Sequence, residues 1–191
     1  MPITLNGSGT ITGISTGGIS DTKALATASL PAGSILQVKQ AVKTDTFSST
    51  TTGSDVDLTG LSVSITPSST SSKILISYDI NISMSNAGYS GNIHLVRGST
   101  KIYQGDAEGS RTRSSQFVIT RNDTIGHLVE EMVHGLFLDS PSTTSATTYK
   151  MVFNAINSNF TVNKTMYDSN ASGVARYPSS ITVMEVAAWV L

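Results

Sequence analysis

Lys73-Ile-Leu-Ile-Ser-Tyr-Asp-Ile-Asn-Ile-Ser-Met84 is the stretch of this 191-residue chain that decides its fold class. Apolar side chains recur at every second position, and the residues between them are polar apart from Leu75. The apolar positions are Ile74, Ile76, Tyr78, Ile80, Ile82 and Met84. Successive side chains of a strand point to opposite faces, so this pattern places one face on a core and the other in water. A helix cannot use a period of two, and we predict a strand of an antiparallel sheet.

Similar alternation recurs along the rest of the chain, separated by turns rich in Gly, Pro, Ser and Thr. It predicts further strands over residues 34–43, 61–66, 92–97, 101–104, 116–120, 127–138, 149–157, 160–167 and 181–191. Residues 44–60 are predicted to be a polar loop, and no amphipathic helix is evident. Eight to ten strands at this spacing are typical of an all-β antiparallel sandwich. The long strands and the doubly apolar last segment favour a jelly roll that forms a trimer.

The last predicted strand, residues 181–191, is apolar on both faces. Ile181, Val183, Ala187, Trp189 and Leu191 lie on one face, and Met184, Val186, Ala188 and Val190 lie on the other. A strand buried on both faces lies between two layers. A lone sandwich leaves its outer faces in water, so we expect the second set of residues to form a subunit interface or to meet the N-terminal segment. Glu185 lies in this setting and needs a polar partner.

Residues 1–32 have a different composition from the rest of the chain. Single apolar residues are separated by Gly, Ser and Thr, so the segment cannot build a core of its own. A flexible linker is one interpretation. We favour an extended arm that becomes ordered on neighbouring chains or on a larger particle, with residues 33–191 as the head domain. The candidate attachment residues of the arm are Ile3, Leu5, Ile11 and Ile14, and residues 21–28 are predicted to form one helical turn.

Composition argues against several classes of function. Charged residues make up 13% of the chain, against about 25% in average soluble domains, and the formal net charge is −1. Such a surface does not attract a phosphate backbone, so we expect no nucleic acid partner. The chain has no cysteine, which excludes disulfides and thiolate metal sites. No apolar run approaches the length of a membrane span, and no secretory leader is visible.

Motifs for catalysis are also missing from the sequence. There is no phosphate-binding loop, no nucleophile elbow and no His-Glu-x-x-His pair. His127 and His134 are an odd number of residues apart on one predicted strand, so they face opposite sides. We predict that these two residues and His94 are ordinary hydrogen-bonded or exposed histidines. Asp55 and Asp57 are interpreted as turn residues. The expectation is a protein without cofactor, metal or enzymatic activity.

Tyr, Arg and Asn residues in or beside the predicted loops are the candidate receptor contacts. They are Tyr89, Asn92, Arg111, Arg113, Arg121, Asn122, Tyr167, Arg176 and Tyr177. Binding residues concentrate in loops on rigid scaffolds, and Tyr and Arg combine flat surface with hydrogen-bonding groups. The alternative interpretation is that these are solvated loop residues, some of them in ion pairs.

Five segments carry a resemblance to a known group of proteins: Gly9–Ser15, Leu30–Val38, Ser72–Tyr78, Ile93–Thr100 and Ser179–Val186. Together they resemble small fibre and virion structural proteins of tailed phages, marine ones in particular. The resemblance implies a trimeric head similar to tumour-necrosis-factor-like jelly rolls, and a location in the virion. It carries over no binding residues. The chain lacks the long shaft or large adaptor domain of longer fibres, so its arm would provide the anchor.

We therefore expect a phage virion structural protein that is assembled in the host bacterial cytoplasm. In this hypothesis it is a short trimeric tail-fibre or appendage protein. Its arm binds other virion proteins, and the loops of its head contact a host surface glycan or protein. A capsid or tail decoration protein without receptor binding is one alternative. A β-sandwich carbohydrate-active enzyme is another, which two carboxylates facing one groove would favour.

Overall fold

The computed structural model describes residues 30–85, 89–119, 130–172 and 174–188. These ranges contain eleven β-strands and no helix, so no helix in them could cross a membrane. Contacts divide the chain into two units, Met1–Pro31 and Ala32–Leu191. The strands are β1 (Ile35–Lys43), β2 (Phe47–Ser49), β3 (Val56–Ile65), β4 (Lys73–Met84), β5 (Ser90–Arg97), β6 (Thr100–Ile102), β7 (Gln116–Ile119), β8 (Glu130–Asp139), β9 (Thr147–Ala155), β10 (Phe160–Val162) and β11 (Ser179–Val186).

The strands form two antiparallel sheets. Sheet A has the order β1-β11-β4-β8, and the short β10 and β2 extend it beside the last residues of β4. Sheet B has the order β3-β9-β5, with β6 and β7 both paired to the other side of β5. When β2, β6 and β10 are set aside, the remaining eight strands run 1-8-3-6 in sheet A and 2-7-4-5 in sheet B. That order is the jelly roll, so the predicted fold is confirmed.

The core lies between the two sheets and is built from the alternating faces of their strands. Ile74, Ile76, Ile80 and Ile82 of β4 are completely buried there, as the period of two predicts. Phe153 from sheet B meets Phe160 edge-on, with 4.7 Å between the ring centroids. Each fully buried side chain of this size contributes about 1.5–3 kcal/mol of burial free energy. The single face of β4 is therefore a large part of what stabilises the sandwich.

Four of the described connections of the head fall at two opposite ends. At the entry end, where β1 begins, the Gly33 N–H donates to the carbonyl of Ala187 at 2.8 Å. Residues 66–72 and 140–146 lie at the same end, because Lys73 donates a hydrogen bond to Ser140. At the far end lie residues 44–55 and 156–178, which are joined by hydrogen bonds from the Asn163 side chain to the carbonyls of Lys43 and Asp45. The chain thus enters the head at the end opposite to these far-end loops.

The prediction that residues 44–60 form a polar loop was wrong. They contain β2 and the first half of β3, and Leu58 in this stretch is 2% exposed. The pairing of β3 with β9 shifts register between Asp57 and Ser62, around Gly60 at a φ of 90°. This bulge breaks the alternation, because it buries residues 58 and 61 on the same side although their spacing is odd.

Two predicted strands end earlier than expected. The strand predicted over 160–167 stops at Val162, since Asn163 adopts a φ of 64°, which no strand residue has. The strand predicted over 181–191 spans Ser179–Val186. Trp189, Val190 and Leu191 lie outside the described residues, as do residues 127–129 of the strand predicted over 127–138 and the helical turn predicted over 21–28.

Candidate functional site

A row of four apolar side chains crosses the outer face of sheet A. Val38 of β1 is in register with Met184 of β11, Met184 with Leu75 of β4, and Leu75 with Leu138 of β8. Val38 is 54% exposed and Leu138 is 51% exposed. Antiparallel partners share a face, so these four side chains form one continuous strip, which we call the apolar row.

Further apolar side chains extend this strip along the same face. Val42 lies four residues after Val38 on the same face of β1. Leu136 and Met132 precede Leu138 on the same face of β8. Leu136 is 62% exposed and Met132 is 67% exposed. Four strands about 4.8 Å apart and about seven residues long give a face of about 400 Å². This face also carries polar side chains, since Gln40, Thr182 and Ser77 lie in register with Leu136. Exposed apolar patches on soluble proteins are often binding surfaces.

The interface residues predicted from the last strand fall partly on this face. Met184 belongs to the apolar row, and Val186 lies two residues further along the same side of β11. Ala188 is half-buried beyond the end of β11, and Val190 lies outside the described residues. Sequence reasoning missed Val38, Leu75 and Leu138. The available signal was Leu75, the one residue that interrupts the polar face of β4.

Three of the predicted contact residues lie together in the far-end loop between β10 and β11. Tyr167 is 65% exposed. Arg176 holds Asp168 through two hydrogen bonds, at 2.9 Å from Nε and 2.8 Å from Nη2, and Lys164 approaches the same carboxylate at 3.5 Å. The hydrogen bond from Arg176 is the main cause of the lowered pKa of Asp168. Arg176 is therefore fixed in place, with much of its surface still in water.

Tyr177, the third of these residues, is engaged with a carboxylate of β8. It donates a hydrogen bond to Glu130 and is 39% exposed. Burial raises the pKa of Glu130, and the hydrogen bond from Tyr177 opposes this effect. The negative charge of Glu130 in turn raises the pKa of Tyr177. The far-end loop is thus tied to sheet A by this pair.

The other predicted contacts do not join this group. The prediction that Asn92 is a contact residue was wrong. Its side chain is buried, with 3% of the residue exposed, because Asn92 lies in β5 between Asn154 of β9 and Phe117 of β7. A buried side chain in the middle of a sheet offers no contact surface. Tyr89 is half-buried and packs against the core at the start of the same strand.

Arg111 and Arg113 lie in the connection between β6 and β7, at the edge of sheet B. The Nε of Arg113 donates to the carbonyl of Gly105 at 2.6 Å, and Arg111 lies 3.9 Å from Glu108. Arg113 thus holds its own loop, whereas the Arg111 side chain is 77% exposed. Arg121 and Asn122 lie outside the described residues, as do the arm residues Ile3, Leu5, Ile11 and Ile14.

The histidine prediction was wrong for His94. Its ring is buried, and neither nitrogen has a hydrogen-bond partner within the described part of the chain. His134 is exposed on the outer face of sheet A, and His127 lies outside the described residues. Across the described ranges, no group of three or more His, Asp or Glu side chains is placed to hold a metal ion.

Asp55 and Asp57 hold ion pairs on the outer side of sheet B. Asp55 pairs with Lys101 at 2.7 Å and Asp57 pairs with Lys150 at 2.7 Å. Asp57 belongs to β3 and is not a turn residue, so the interpretation as a turn residue was wrong for Asp57, whereas Asp55 lies in the loop before β3. Each carboxylate is therefore paired with its own lysine, on the outer side of sheet B.

Comparison with known proteins gives distant similarities of fold. No protein-family model matches the chain, and no curated protein matches it. Among solved structures, a mutant VP2 protein of infectious bursal disease virus in derived T=1 particles has a TM-score of 0.41 at 15% sequence identity, over 79% of this chain and 36% of that one. The structure of the Gx strain of the same virus has a TM-score of 0.37 at 17% identity, over 82% of this chain and 37% of that one.

The chain therefore spans little more than a third of the length of those viral chains. At such low identities and TM-scores, these similarities assign neither a family nor a function to this protein.

Proposed function

We propose that this chain is a structural protein of a virion and that copies of it assemble through the outer face of sheet A. The observation that carries this proposal is the apolar row formed by Val38, Met184, Leu75 and Leu138. A single sandwich leaves this strip in water, whereas its inner sheet faces are covered. Association of copies removes the strip from water, and each buried CH₂ group contributes about 0.8 kcal/mol.

In this proposal the assembly is a homotrimer that forms a short phage tail fibre or appendage. The sequence resemblance to fibre proteins of tailed phages supports it. The polarity of the head also supports it, because the chain enters at one end and the exposed Tyr167 lies at the other. The N-terminal arm binds other virion proteins, and the far-end loops contact a host surface glycan or protein. Three weak contacts on one trimer add up to useful avidity.

The role is structural and not enzymatic. The alternative form of the proposal is a capsid or tail decoration protein. In that form a neighbouring virion protein covers the same apolar face, and copies of this chain do not associate in solution. The two forms of the proposal differ in the state of the isolated protein, and in whether the far end binds cells.

Sedimentation equilibrium of the purified full chain, at several concentrations, tests the assembly. We expect a trimer of the 20.0 kDa chain. The variant Leu138→Ser should shift it towards monomer, because it places a hydroxyl in the apolar row. Phe117→Ser is the matched control, since Phe117 is similarly exposed at 57% but lies on sheet B. A folded wild-type monomer would contradict self-assembly and favour the decoration protein. Equal dissociation in both variants would reject sheet A as the interface.

Binding of the labelled protein to bacterial cells tests the contact role. Tyr167→Ala should weaken binding at the far end, and Glu108→Ala in the connection between β6 and β7 should leave it unchanged. Both side chains are exposed. Wild-type binding that survives Tyr167→Ala unchanged would remove the far-end loop from the contact surface.

A further inference from the structure

A cavity of about 440 Å³ opens at the far end of the head, beside the two short strands β2 and β10. Its volume falls within the range of about 300–1,000 Å³ that is usual for small-ligand sites. Polar side chains predominate in its lining, and they are Ser48, Ser49, Thr50, Asn159, Thr161 and Lys164. Hydroxyl and amide groups both donate and accept hydrogen bonds, so this lining suits a ligand that carries several hydroxyl groups itself.

Backbone pairing and packing shape this cavity before any ligand enters it. β10 pairs with β2 on one side and with β4 on the other, and Thr161 is in register with Ser48. On the core side of β2 and β10, the ring centroids of Phe47 and Phe160 lie 6.0 Å apart. The Thr161 hydroxyl donates to the carbonyl of Lys164 at 2.8 Å, which holds the start of the following loop against β10. A site that is already formed loses little conformational freedom when a ligand binds.

Lys164 is the only charged residue among the described ones that line the cavity. Its ammonium group lies 3.5 Å from Oδ2 of Asp168, and its side chain is 21% exposed. Arg176 already holds the same carboxylate through two shorter hydrogen bonds, at 2.9 and 2.8 Å. Two cations therefore share one carboxylate, and the cluster keeps a surplus of one positive charge.

The other acidic side chains at this end do not cancel the surplus, because each has a partner of its own. The pairs are Asp45 with Lys43, Asp55 with Lys101, and Glu130 with Tyr177. Glu130 also lies across β4 from Thr161, since both are in register with Ser83 on opposite sides of that strand. The charge of Lys164 is largely withdrawn from water, so it attracts an anion inside the cavity more strongly than a fully solvated lysine does.

We propose that this cavity binds an acidic monosaccharide unit of a host-surface glycan, with the sugar carboxylate on Lys164. Its hydroxyl groups bond to Ser48, Thr50 and Asn159. This inference rests on the proposed function, because it gives the far-end contact a ligand class. A sugar carboxylate carries one negative charge and matches the surplus. A phosphate monoester carries a charge of about −1.5 to −2 at neutral pH and exceeds it. A neutral sugar leaves the surplus charge in place.

NMR titration of the isotope-labelled full chain tests the site, with methyl β-D-glucuronide as the probe and methyl β-D-glucoside as its neutral counterpart. With the glucuronide we expect saturable shifts of the Ser48, Thr50 and Lys164 amide signals. The glucoside should bind at least about tenfold more weakly, because one charge-assisted hydrogen bond is lost. Equal affinity for the two sugars, or glucuronide shifts that map away from the cavity, would overturn the proposal.

Two variants test the role of the lining. Lys164→Gln keeps a hydrogen-bond donor but removes the charge, so glucuronide binding should weaken to the level of the glucoside while glucoside binding stays unchanged. Lys39→Gln, at an exposed lysine of β1, is the matched control and should behave as the wild type. Should Lys164→Gln not fold, Ser48→Leu fills the cavity from an exposed position and should abolish binding of both sugars. Glucuronide binding that survives either substitution unchanged rejects the site.

The result is separable from that of the proposed function. A chain that forms trimers and binds cells, but does not bind the glucuronide, overturns the ligand class and leaves the assembly and the contact role in place. A monomer that binds the glucuronide through Lys164 supports this site and rejects the trimer.

Discussion

Glu185 accepts two hydrogen bonds from Ser68, one from its backbone N–H and one from its hydroxyl, each at 2.6 Å. Ser72 adds a third at 2.7 Å and Gln37 a fourth at 2.6 Å. The carboxylate is fully buried, and these four donors take the place of the water that it loses. This cluster ties the turn between β3 and β4 to β11 and β1. It confirms the expectation that a carboxylate within this apolar strand needs partners.

Replacing Glu185 should therefore destabilise the entry end. Glu185→Gln keeps the shape but loses the charge that strengthens four hydrogen bonds, and we expect a loss of about 2 kcal/mol in the free energy of unfolding. Urea denaturation measures it. Glu108→Gln serves as the control, because the Glu108 side chain is 75% exposed. Equal stability of the two variants would show that the buried cluster contributes nothing.

The same carboxylate predicts a pH dependence. Burial alone would raise the pKa of Glu185, but the hydrogen bonds from Gln37, Ser68 and Ser72 outweigh burial and lower it. The stabilisation is therefore complete above the unfolded value of about 4.3 and is lost as the pH falls through the lower folded value. Below about pH 4, the free energy of unfolding should fall more steeply for the wild type than for Glu185→Gln. Parallel curves for the two proteins would contradict the assigned shift.

A methyl group at position 135 should disturb the core. Gly135 of β8 is in register with Tyr78 of β4, and the Tyr78 ring lies over it where a Cβ would stand. Gly135→Ala forces the ring to move, and overpacking of this kind costs about 1–3 kcal/mol. Gly105→Ala is the matched control, since nothing lies within 4 Å of a Cβ there. Equal urea midpoints for the two variants would show that the ring moves freely.

Sequence alone could predict the strands whose pattern is purely local. The period of two in β4 defines a strand, its bounds and its buried face, because burial on one side needs only alternation. It fails where the backbone departs from the regular strand. The bulge near Gly60 hides half of β3, and the positive φ of Asn163 ends β10, a backbone conformation that an apolar pattern does not reveal.

The candidate surfaces depend on register, which no local pattern contains. Val38, Leu75, Leu138 and Met184 come from four distant segments, and only the pairing of β1, β11, β4 and β8 places them in one row. Because the terminal strand has two apolar faces, the sequence predicts that something packs against its outer face. The sequence does not predict which residues of the other strands share that face. In the same way, Asn92 is predicted at the start of a strand beside a turn, and only the pairing with β7 and β9 shows that its side chain is buried.

A buried ion pair between the two sheets gives a further prediction. Asp139 of β8 accepts two hydrogen bonds from Nη1 of Arg97, each at 2.8 Å, and one from the Tyr149 hydroxyl at 2.7 Å. Asp139→Asn leaves a partly buried guanidinium without its charge partner, and we expect a loss of about 3 kcal/mol in unfolding free energy. Tyr149→Phe removes one hydrogen bond and should cost less. Asp106→Asn in the exposed loop is the control. In thermal and urea unfolding, Asp139→Asn should be the least stable of the three variants, Tyr149→Phe intermediate and the control the most stable. If Tyr149→Phe is less stable than Asp139→Asn, the carboxylate does not have the central role.

Asn163 combines backbone and side-chain demands at the far end. Its φ is 64°, its Nδ2 donates to the carbonyls of Lys43 and Asp45 at 2.8 and 2.9 Å, and its Oδ1 accepts from the Ser179 hydroxyl at 2.5 Å. Asn163→Gly loses these side-chain hydrogen bonds but places a residue there that tolerates a positive φ. Asn163→Ala loses the same hydrogen bonds and also places a residue there that disfavours a positive φ. We expect each variant to have an unfolding free energy about 2 kcal/mol or more below that of the wild type. The unfolding free energy of Asn163→Ala should be about 1 kcal/mol lower than that of Asn163→Gly. Comparing the urea midpoints of the two variants separates the contributions. Equal midpoints would show that the backbone conformation costs alanine nothing, and wild-type stability in both would show that the side-chain bonds do not hold the far-end loops together.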